Sequence, residues 1–345
     1  MLTLNGRAQA ILPEGVEANV LGPSPGDQVQ PSASLAAEGG ILVWQDSRVD
    51  GAGSGIAAVR LDAGLSVTGE PFRVNARAEG EQQRPRVALL EGGGVAFVWS
   101  ERNRGLSQVY ARFQGADGSF SGPDIVVAPP AQITSSRVVT NVVGWKKNRL
   151  RKLKHTLRGG TARHREMAGE ADVIPLPGGG AAVVYSAVHR SQTHTTEIVT
   201  EVTLNNGRPS TNDVLRPVVV QSHWMKDVFV QVFAADGQKT GDPVLVNQHV
   251  ADNQHQPAVA LLGDGRFVVV WVSEINAGVG LNFEMPVSAV AARVRSMRVD
   301  IRGRLFAADG LPLGDEFVVS DGVGTCFSPA VAPSPGGGFV VVWSQ

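Results

Sequence analysis

The chain has 345 residues, 43% of them hydrophobic, with a single cysteine and a formal net charge of −1. One cysteine excludes an internal disulfide, and no apolar run is long enough to form a membrane-spanning helix. The near-neutral total hides an asymmetry: residues 131–166 hold ten Lys+Arg and one acid, which leaves 21 basic and 31 acidic residues elsewhere. We therefore expect a soluble, acidic body that carries one strongly basic segment.

A short apolar strand with an aromatic residue near its end recurs through the chain. Its copies are ILVWQ ending at Gln45, VAFVWS at Ser100, AAVVYS at Ser186, FVVVWVS at Ser273 and GGGFVVVWSQ at Gln345. The equivalent aromatic residues are Trp44, Trp99, Tyr185, Trp271 and Trp343. One copy cannot bury its apolar surface alone, so the repeat predicts modules that pack on one another. We expect these aromatic residues to pack between neighbouring modules.

Each copy lies inside a longer module of four predicted strands. An apolar run precedes a Gly-rich turn and the aromatic strand, and a second hairpin follows with a turn such as Ala116-Asp117-Gly118 or Ala308-Asp309-Gly310. Asp-Gly pairs accept positive φ and favour hairpin turns. The N-terminal RAQAILPEGVEANVL supplies one copy of the second hairpin, and the C-terminal end supplies one copy of the first. The prediction is one all-β domain over residues 1–345, a five-bladed β-propeller of four-stranded antiparallel blades.

Uneven spacing of the aromatic residues predicts three insertions. Successive equivalents are 55, 86, 86 and 72 residues apart, and the extra residues fall at about 131–168, 187–226 and 274–298. The first insertion joins a fourth strand to the next first strand, while the other two join second to third strands. In an up-and-down sheet these two loop classes emerge at the same end, so we expect all three insertions on one face of the ring.

The repeat pattern QxxPxVAxL, GGFVVVW, ADG and GxEFxVN resembles a repeat of large secreted bacterial proteins of the RTX and adhesin kind. It is best seen at DGAGSGI (Asp50 to Ile56), RLFAADG (Arg304 to Gly310) and GDEFVVS (Gly314 to Ser320). The resemblance covers most of the chain outside the insertions and implies an extracellular, interaction-type protein, without implying any catalytic residue. The chain departs from that family because it has no glycine-aspartate nonapeptide array.

Few residues have the spacing that metal or cofactor chemistry requires. Asp46, Asp50 and the glycines up to Gly55 resemble a calcium loop, but the alternate positions after Asp50 are Ala52 and Ser54, and the other modules do not repeat the acids. A flexible hairpin loop is the preferred interpretation, and calcium binding at Asp50 is left open. The seven histidines lack zinc-site spacing, and no phosphate loop, nucleophile elbow or dinucleotide fingerprint occurs. We predict no metal site, no cofactor and no catalytic residues.

A glycan-active protein is the alternative that the sequence leaves open. Glycoside hydrolysis needs two or three carboxylates that converge on one pocket. Asp46, Glu101 and Glu274 follow equivalent strands and could meet near one opening of the ring. A glycan-binding lectin is a second form of this alternative, although its repeated pockets would need matching aromatic loop residues, and the chain has only two tyrosines.

The basic segment provides the candidate partner-binding residues. From Trp145 to Arg165 the sequence carries nine Lys+Arg and no acid, and Leu150, Leu153 and Leu157 stand at helical spacing before Gly159-Gly160. This predicts a basic helix that contacts an anionic partner, or an arm that folds back on the acidic body. The predicted contact residues are Trp145, Lys146, Lys147, Arg149, Arg151, Lys152, Lys154 and Trp224, the two tryptophans being those outside the repeated strands.

The main functional prediction from the sequence is a non-enzymatic recognition or assembly module that binds a protein partner through the insertion-bearing face. A bacterial extracellular structure, cell surface or phage particle is the expected location, with a cytosolic location left open. The first residues show no basic start followed by an apolar core, so no Sec-type signal is expected. Nucleic acid is a weaker expectation for the basic insertion than a protein surface.

Overall fold

The computed structural model describes most of the chain outside the N-terminal segment and the long insertions. The backbone is described for residues 20–22, 24–103, 106–128, 133–139, 145–146, 149–150, 156–162, 168–192, 195–205, 208–218, 223–250, 252–275, 298–320 and 324–345. Side chains are described for residues 20–22, 24–103, 107–128, 169–188, 225–250, 252–275, 298–320 and 324–345.

Within these ranges the chain forms 24 β-strands, and no helix long and apolar enough to cross a membrane occurs there. The first sheet contains β1 (Gln28–Ala36), β2 (Gly39–Asp46), β3 (Gly55–Asp62) and β4 (Val67–Arg73). The second contains β5 (Glu81–Leu89), β6 (Val95–Asn103), β7 (Leu106–Gln114) and β8 (Ile125–Val126). Two small hairpins follow, formed by β9 (Ile133–Val139), β10 (Trp145–Lys146), β11 (Arg149–Leu150) and β12 (Thr156–Ala162), which pair as β9 with β12 and β10 with β11.

The second half of the chain repeats the same order. The third sheet and the hairpin within it are formed by β13 (Ala168–Pro175), β14 (Ala181–Gln192), β15 (Thr195–Asn205), β16 (Arg208–Val218), β17 (His223–Phe233) and β18 (Lys239–Leu245), where β15 pairs with β16. The fourth sheet contains β19 (Gln254–Leu261), β20 (Phe267–Ile275), β21 (Arg298–Phe306) and β22 (Phe317–Val318). The fifth contains β23 (Phe327–Ser334) and β24 (Gly338–Ser344).

The prediction of an all-β chain with four-stranded antiparallel sheets is therefore confirmed for the first four sheets. In each of them the strands follow one another in chain order, and all pairs are antiparallel. The predicted hairpin turns are also confirmed, because Gly118, Gly237 and Gly310 have φ values of 83°, 85° and 85°. Only glycine adopts this left-handed backbone without a steric penalty, which explains why Asp-Gly recurs there.

The core is divided among the boundaries between successive sheets. Trp99 packs in a cluster that combines Val43 and Ile56 of the first sheet with Phe97 of the second. Trp271 lies in the corresponding cluster between the third and fourth sheets, together with Val184 and Val228. Trp99, Tyr185, Trp271 and Trp343 thus pack between neighbouring sheets, as the sequence predicts. Burial of these large rings gives each boundary much of its stability.

The predicted basic helix is not present in the described part of its segment. Leu157 lies in β12 opposite Val138, and Gly159 and Gly160 lie in the same strand opposite Ser136 and Ser135. Lysines and arginines at i,i+4 spacing repel one another and weaken a helix. Pairing with the β-branched residues of β9 therefore decides the local structure. Residues 151–155, which include Leu153, lie outside the described residues.

Candidate active site

The first strand of every sheet carries the same backbone irregularity. Each has a bulge at its start, and one non-glycine residue there has a φ of 51° to 55°. These five residues, which we call the first-strand row, are Gln30, Arg84, Glu170, Gln256 and Ser328. A positive φ is unfavourable for such residues. Because it recurs in all five copies, it belongs to the repeat and not to one specialised position.

The first-strand row joins successive sheets through a series of polar contacts. The backbone N–H of Arg84 donates to Gln30 Oε1 at 2.8 Å, and the N–H of Gln256 donates to Glu170 Oε2 at 3.0 Å. The N–H of Ser328 donates to Gln256 Oε1 at 2.9 Å. Between the second and third sheets, Arg84 Nη1 lies 3.8 Å from Glu170 Oε1. The row therefore links residues from all five sheets in one continuous line of polar contacts.

A second carboxylate lies two residues beyond Glu170 on the same strand. Asp172 Oδ2 accepts from the N–H of Val259 at 3.1 Å, and its Oδ1 lies 3.9 Å from Arg86 Nε. In the other first strands the equivalent positions are Ser32, Ala258 and Ala330. Charged residues at both positions are thus confined to β5, which supplies two arginines, and β13, which supplies two acids.

The two carboxyl groups lie on one strand and contact the same neighbouring strand. Glu170 accepts from the N–H of Gln256 and Asp172 from the N–H of Val259, both in β19. Glycoside hydrolysis uses a pair of carboxyl groups that flank the bond to be cleaved. The side chains of Glu170 and Asp172 are 25% and 26% exposed, so a ligand in solvent can reach both. The pair could therefore act on one bond of a bound sugar.

The surroundings of the Asp172 carboxyl act on its pKa in opposite directions. Burial raises its pKa, whereas the hydrogen bond from Val259 and the charge of Arg86 lower it. Burial has the larger effect, so the net direction is upward. A carboxyl that holds its proton at higher pH can act as a general acid. Glu170, which has Arg84 beside it, is then the group available as base or nucleophile.

Asp46, the first of the carboxylates that the sequence singled out, has a structural role. Its Oδ1 accepts from the N–H groups of Arg48 and Val49 at 2.8 and 3.0 Å, and its Oδ2 accepts from Trp44 Nε1 at 3.1 Å. These bonds fix the turn after β2. The alternate positions Ala52 and Ser54 bring no acidic ligand to the Asp50 loop, and no group of three potential metal ligands occurs among the described residues.

Glu101 and Glu274 face different boundaries. Glu101 is two residues after Trp99 and faces the first sheet, where Arg77 Nη2 lies 3.9 Å from its Oε1. Glu274 is three residues after Trp271 in a strand of regular register, so it faces the opposite way. Burial raises the pKa of Glu101, whereas the hydrogen bond from His255 lowers that of Glu274. These two carboxyls, with Asp46, do not share one boundary between sheets.

The predicted partner-binding residues lie in the insertions. Trp145 and Lys146 form β10 and pair with Leu150 and Arg149 of β11, and Trp224 lies in β17 opposite Ser191. Lys147, Arg151, Lys152 and Lys154 lie outside the described residues. The role predicted for these residues stays a prediction.

Sequence reasoning missed Glu170 and Asp172, although the sequence contained a signal. The two acids flank Ala171, which occupies a position where the other four modules have proline. Alignment of the modules places them beside Arg84 and Arg86, which flank Pro85. Two cavities of about 330 and 370 Å³ lie at the boundary of the first two sheets, and neither is lined by these acids. Carboxylates line both cavities, Glu70 the first and Asp27 and Glu81 the second. We favour Glu170 and Asp172 because each has an arginine of the neighbouring sheet beside it.

Comparison with solved structures finds similar folds over most of the chain. An α-L-arabinanase of Penicillium chrysogenum, solved with arabinobiose, has a TM-score of 0.48 and 14% identity, and the match covers 93% of this chain and 77% of that one. The GH93 α-L-arabinofuranosidase of Fusarium graminearum, also with arabinobiose, has a TM-score of 0.47, 13% identity and coverages of 93% and 76%. A thermostable family-43 glycoside hydrolase has a TM-score of 0.41, 12% identity and coverages of 92% and 83%.

These comparisons correct two predictions from the sequence. The structures named are glycoside hydrolases, so the prediction of a non-enzymatic recognition or assembly module is wrong, as is the prediction that the chain is not an enzyme. No protein-family model matches the chain, and no curated protein matches it either. At such low identity the likeness concerns the fold, and residue roles have to come from the chain's own side chains.

Proposed function

We propose that the protein is a five-bladed β-propeller that cleaves glycosidic bonds, with Glu170 and Asp172 as its catalytic pair. The observation that carries this proposal is the placement of two partly exposed carboxyls two residues apart on β13, with unequal surroundings. Five copies of the first-strand bulge support the count of five blades. The expected domain is the whole chain, with the insertions as additions to one ring.

In this mechanism Asp172 donates its proton to the glycosidic oxygen as the bond to the anomeric carbon breaks. Glu170 either removes a proton from the water that attacks that carbon, or attacks the carbon itself and forms a glycosyl ester. In the second case Asp172 takes a proton from a water molecule, which hydrolyses the ester and frees Glu170. The proton that Asp172 loses is regained from water at the end of the cycle. Arg84 Nη1 lies 3.8 Å from Glu170 Oε1 and places positive charge beside this carboxylate.

Arabinobiose is the first substrate to test, because two glycoside hydrolases of similar fold were solved with this disaccharide. The purified protein would be incubated with arabinobiose, arabinan and a panel of other β- and α-linked oligosaccharides. Products would be separated by chromatography. We expect hydrolysis of at least one substrate, with an optimum set by the protonated acid and the ionised base.

Substitution of the pair tests the assignment. Asp172→Asn and Glu170→Gln should each lower kcat by about 100-fold or more, since general acid–base groups contribute roughly 10² to 10⁴. Glu38→Gln is a matched control, because Glu38 is exposed in the turn between β1 and β2. Circular dichroism and urea unfolding would show that the variants remain folded. Full activity in both site variants, or sugar binding by the wild type without any turnover, would refute the proposal.

A further inference from the structure

Two arginines of the neighbouring strand face the proposed catalytic pair. Arg84 and Arg86 of β5 approach the two acids of β13, and their side chains are 54% and 42% exposed. In the other first strands the equivalent positions hold no basic residue. Arg86 has no step in the mechanism proposed above. Because neither arginine is buried, both can contact a ligand at the site.

The two acids do not occupy the hydrogen-bond donors of these arginines. Arg84 Nη1 and Arg86 Nε lie 3.8 and 3.9 Å from the acids, which is beyond hydrogen-bond distance. Both acids accept instead from backbone N–H groups of β19, in the next sheet. Among the described residues, Arg84 donates no side-chain hydrogen bond, and Arg86 donates one, from Nη1 to the Pro85 carbonyl at 3.0 Å. Since a guanidinium has five N–H donors, most donors of both arginines are available to a ligand.

Other arginines at a similar distance from a carboxylate have different partners. Arg77 and Arg112 lie 3.9 and 4.0 Å from their nearest carboxylates. Arg77 donates to Tyr110 Oη at 2.9 Å, and Arg112 donates to the Val74 carbonyl at 2.6 Å. The two β5 arginines therefore differ from these in combining exposure, an open ion pair and unused donors.

The charges of the two arginines and the two acids do not cancel in the state that cleaves the bond. Asp172 has to hold its proton to act as general acid, so the four residues then carry two positive charges and one negative charge. A neutral sugar leaves the positive charge uncompensated, whereas one anionic group on the sugar compensates it. Guanidinium groups also bind carboxylates and similar oxyanions through paired N–H donors, which adds geometric selectivity.

We propose that the substrate is an anionic glycan, and that Arg84 and Arg86 bind a carboxylate or sulfate group of the sugar residue in the site. The inference rests on the proposed function, because it assigns the substrate class of the same site. The anionic group lies against the β5 arginines while the glycosidic bond lies beside the acids of β13. The equivalents of Asp172 in the next two first strands are Ala258 and Ala330, so no long side chain from those positions competes for the space.

Binding is measured in the full-length Asp172→Asn protein, in which the carboxamide imitates the protonated acid and slows cleavage. Titration calorimetry compares trigalacturonate and triglucuronate with their methyl esters, and a sulfated galactose trisaccharide with its desulfated form. We expect at least one acidic ligand to bind about 10-fold or more tightly than its neutral counterpart, since hydrogen bonds between charged groups are the stronger ones. The difference should shrink as the NaCl concentration rises, because the arginines are exposed. The ligand that binds decides between a carboxylate and a sulfate.

Substitution separates these two arginines from general electrostatic attraction. Arg84→Gln and Arg86→Gln, each added to Asp172→Asn, should weaken binding of that acidic ligand by about 10-fold or more and have little effect on its neutral counterpart. Arg84→Gln keeps the backbone N–H that donates to Gln30, so the link between the sheets remains. Arg266→Gln is the matched control, because Arg266 is 44% exposed in the turn between β19 and β20. It should leave binding of the acidic ligand within about twofold, since distant exposed charges are screened.

Three results would overturn the inference: equal affinity for the acidic and neutral forms of every ligand, no binding by any acidic ligand, or acidic binding that Arg84→Gln and Arg86→Gln leave intact. Hydrolysis by the wild type is assayed separately on the same ligands. Hydrolysis of neutral glycans alone would overturn the anionic substrate and leave the glycosidase proposal standing. Arginine-dependent binding of an acidic glycan without hydrolysis would support the binding assignment and refute the glycosidase.

Discussion

Substitution of two equivalent tryptophans offers a direct measurement of one buried hydrogen bond. Trp99 and Trp271 occupy the same repeat position and are 1% and 0% exposed. Trp271 Nε1 donates to Gln254 Oε1 at 3.0 Å, whereas Trp99 Nε1 has no hydrogen-bond partner among the described residues. In the second sheet the equivalent glutamine, Gln82, accepts from Asn75 instead. The two sites are therefore matched in burial but differ in hydrogen bonding.

Replacement of each tryptophan by phenylalanine should separate the contribution of the hydrogen bond from the contribution of burial. Both changes remove similar buried volume, so the cavity contributions to the free energy of unfolding largely cancel. Only Trp271→Phe also leaves the buried Gln254 oxygen without the indole donor, which costs about 1–3 kcal/mol. We therefore expect Trp271→Phe to lower the free energy of unfolding by about 1–3 kcal/mol more than Trp99→Phe.

The measurement is urea unfolding of the two variants and the wild type, followed by circular dichroism. Gln254→Met in the Trp271→Phe background serves as a control, because removal of both polar partners should recover part of the loss. Equal destabilisation by the two tryptophan substitutions would refute the assignment of the difference to the Gln254 hydrogen bond.

Two further predictions concern a buried charge and a constrained turn. Burial raises the pKa of Glu101, so its stabilising contribution is complete below the unfolded-state pKa of about 4.3 and is lost as pH rises through the folded-state value. In urea titrations, the free energy of unfolding of the wild type relative to Glu101→Gln should therefore fall as the pH rises from 4 to 8. A rise would show that burial does not outweigh the charge of Arg77 in setting the pKa of Glu101. Gly39 has a φ of +133°, and a Cβ there would lie 2.2 Å from the Leu61 carbonyl oxygen. Gly39→Ala should lower the melting temperature strongly and Gly263→Ala only slightly, since a Cβ at Gly263 meets nothing within 4 Å; similar shifts would exclude this steric explanation.

Repetition made the strands predictable from the sequence. The aromatic residue of the second strand recurs in five modules, and the Asp-Gly pair of the second hairpin recurs in three. The turn that Asp-Gly favours depends only on the residues of the turn itself. The basic segment occurs once, so the spacing of its leucines was the only pattern from which its secondary structure could be predicted. That spacing could not account for the competing strand partner Val138 or for repulsion among the lysines and arginines.

The candidate site was not predicted because the sequence draws attention to the carboxylates that follow the repeated second strands. Asp46, Glu101 and Glu274 are prominent after the repeated second strands, but strand alternation turns Glu274 away from the face that Glu101 occupies. Glu170 and Asp172 lie at the start of a first strand, where the bulge changes which side chains meet the neighbouring sheet. A bulge depends on backbone geometry that amino-acid type alone does not determine.

The first-strand row has a consequence for how this architecture tolerates sequence change. Three of its links join a side-chain oxygen of one sheet to a backbone N–H of the next. The accepting position needs a carboxylate or carboxamide, whereas the donating position needs no particular side chain, because every residue except proline has an N–H. Selection for a particular side chain therefore acts on the accepting position of each link and not on the donating position. A module that keeps its acceptor can be duplicated, deleted or exchanged without a matching change in the module before it.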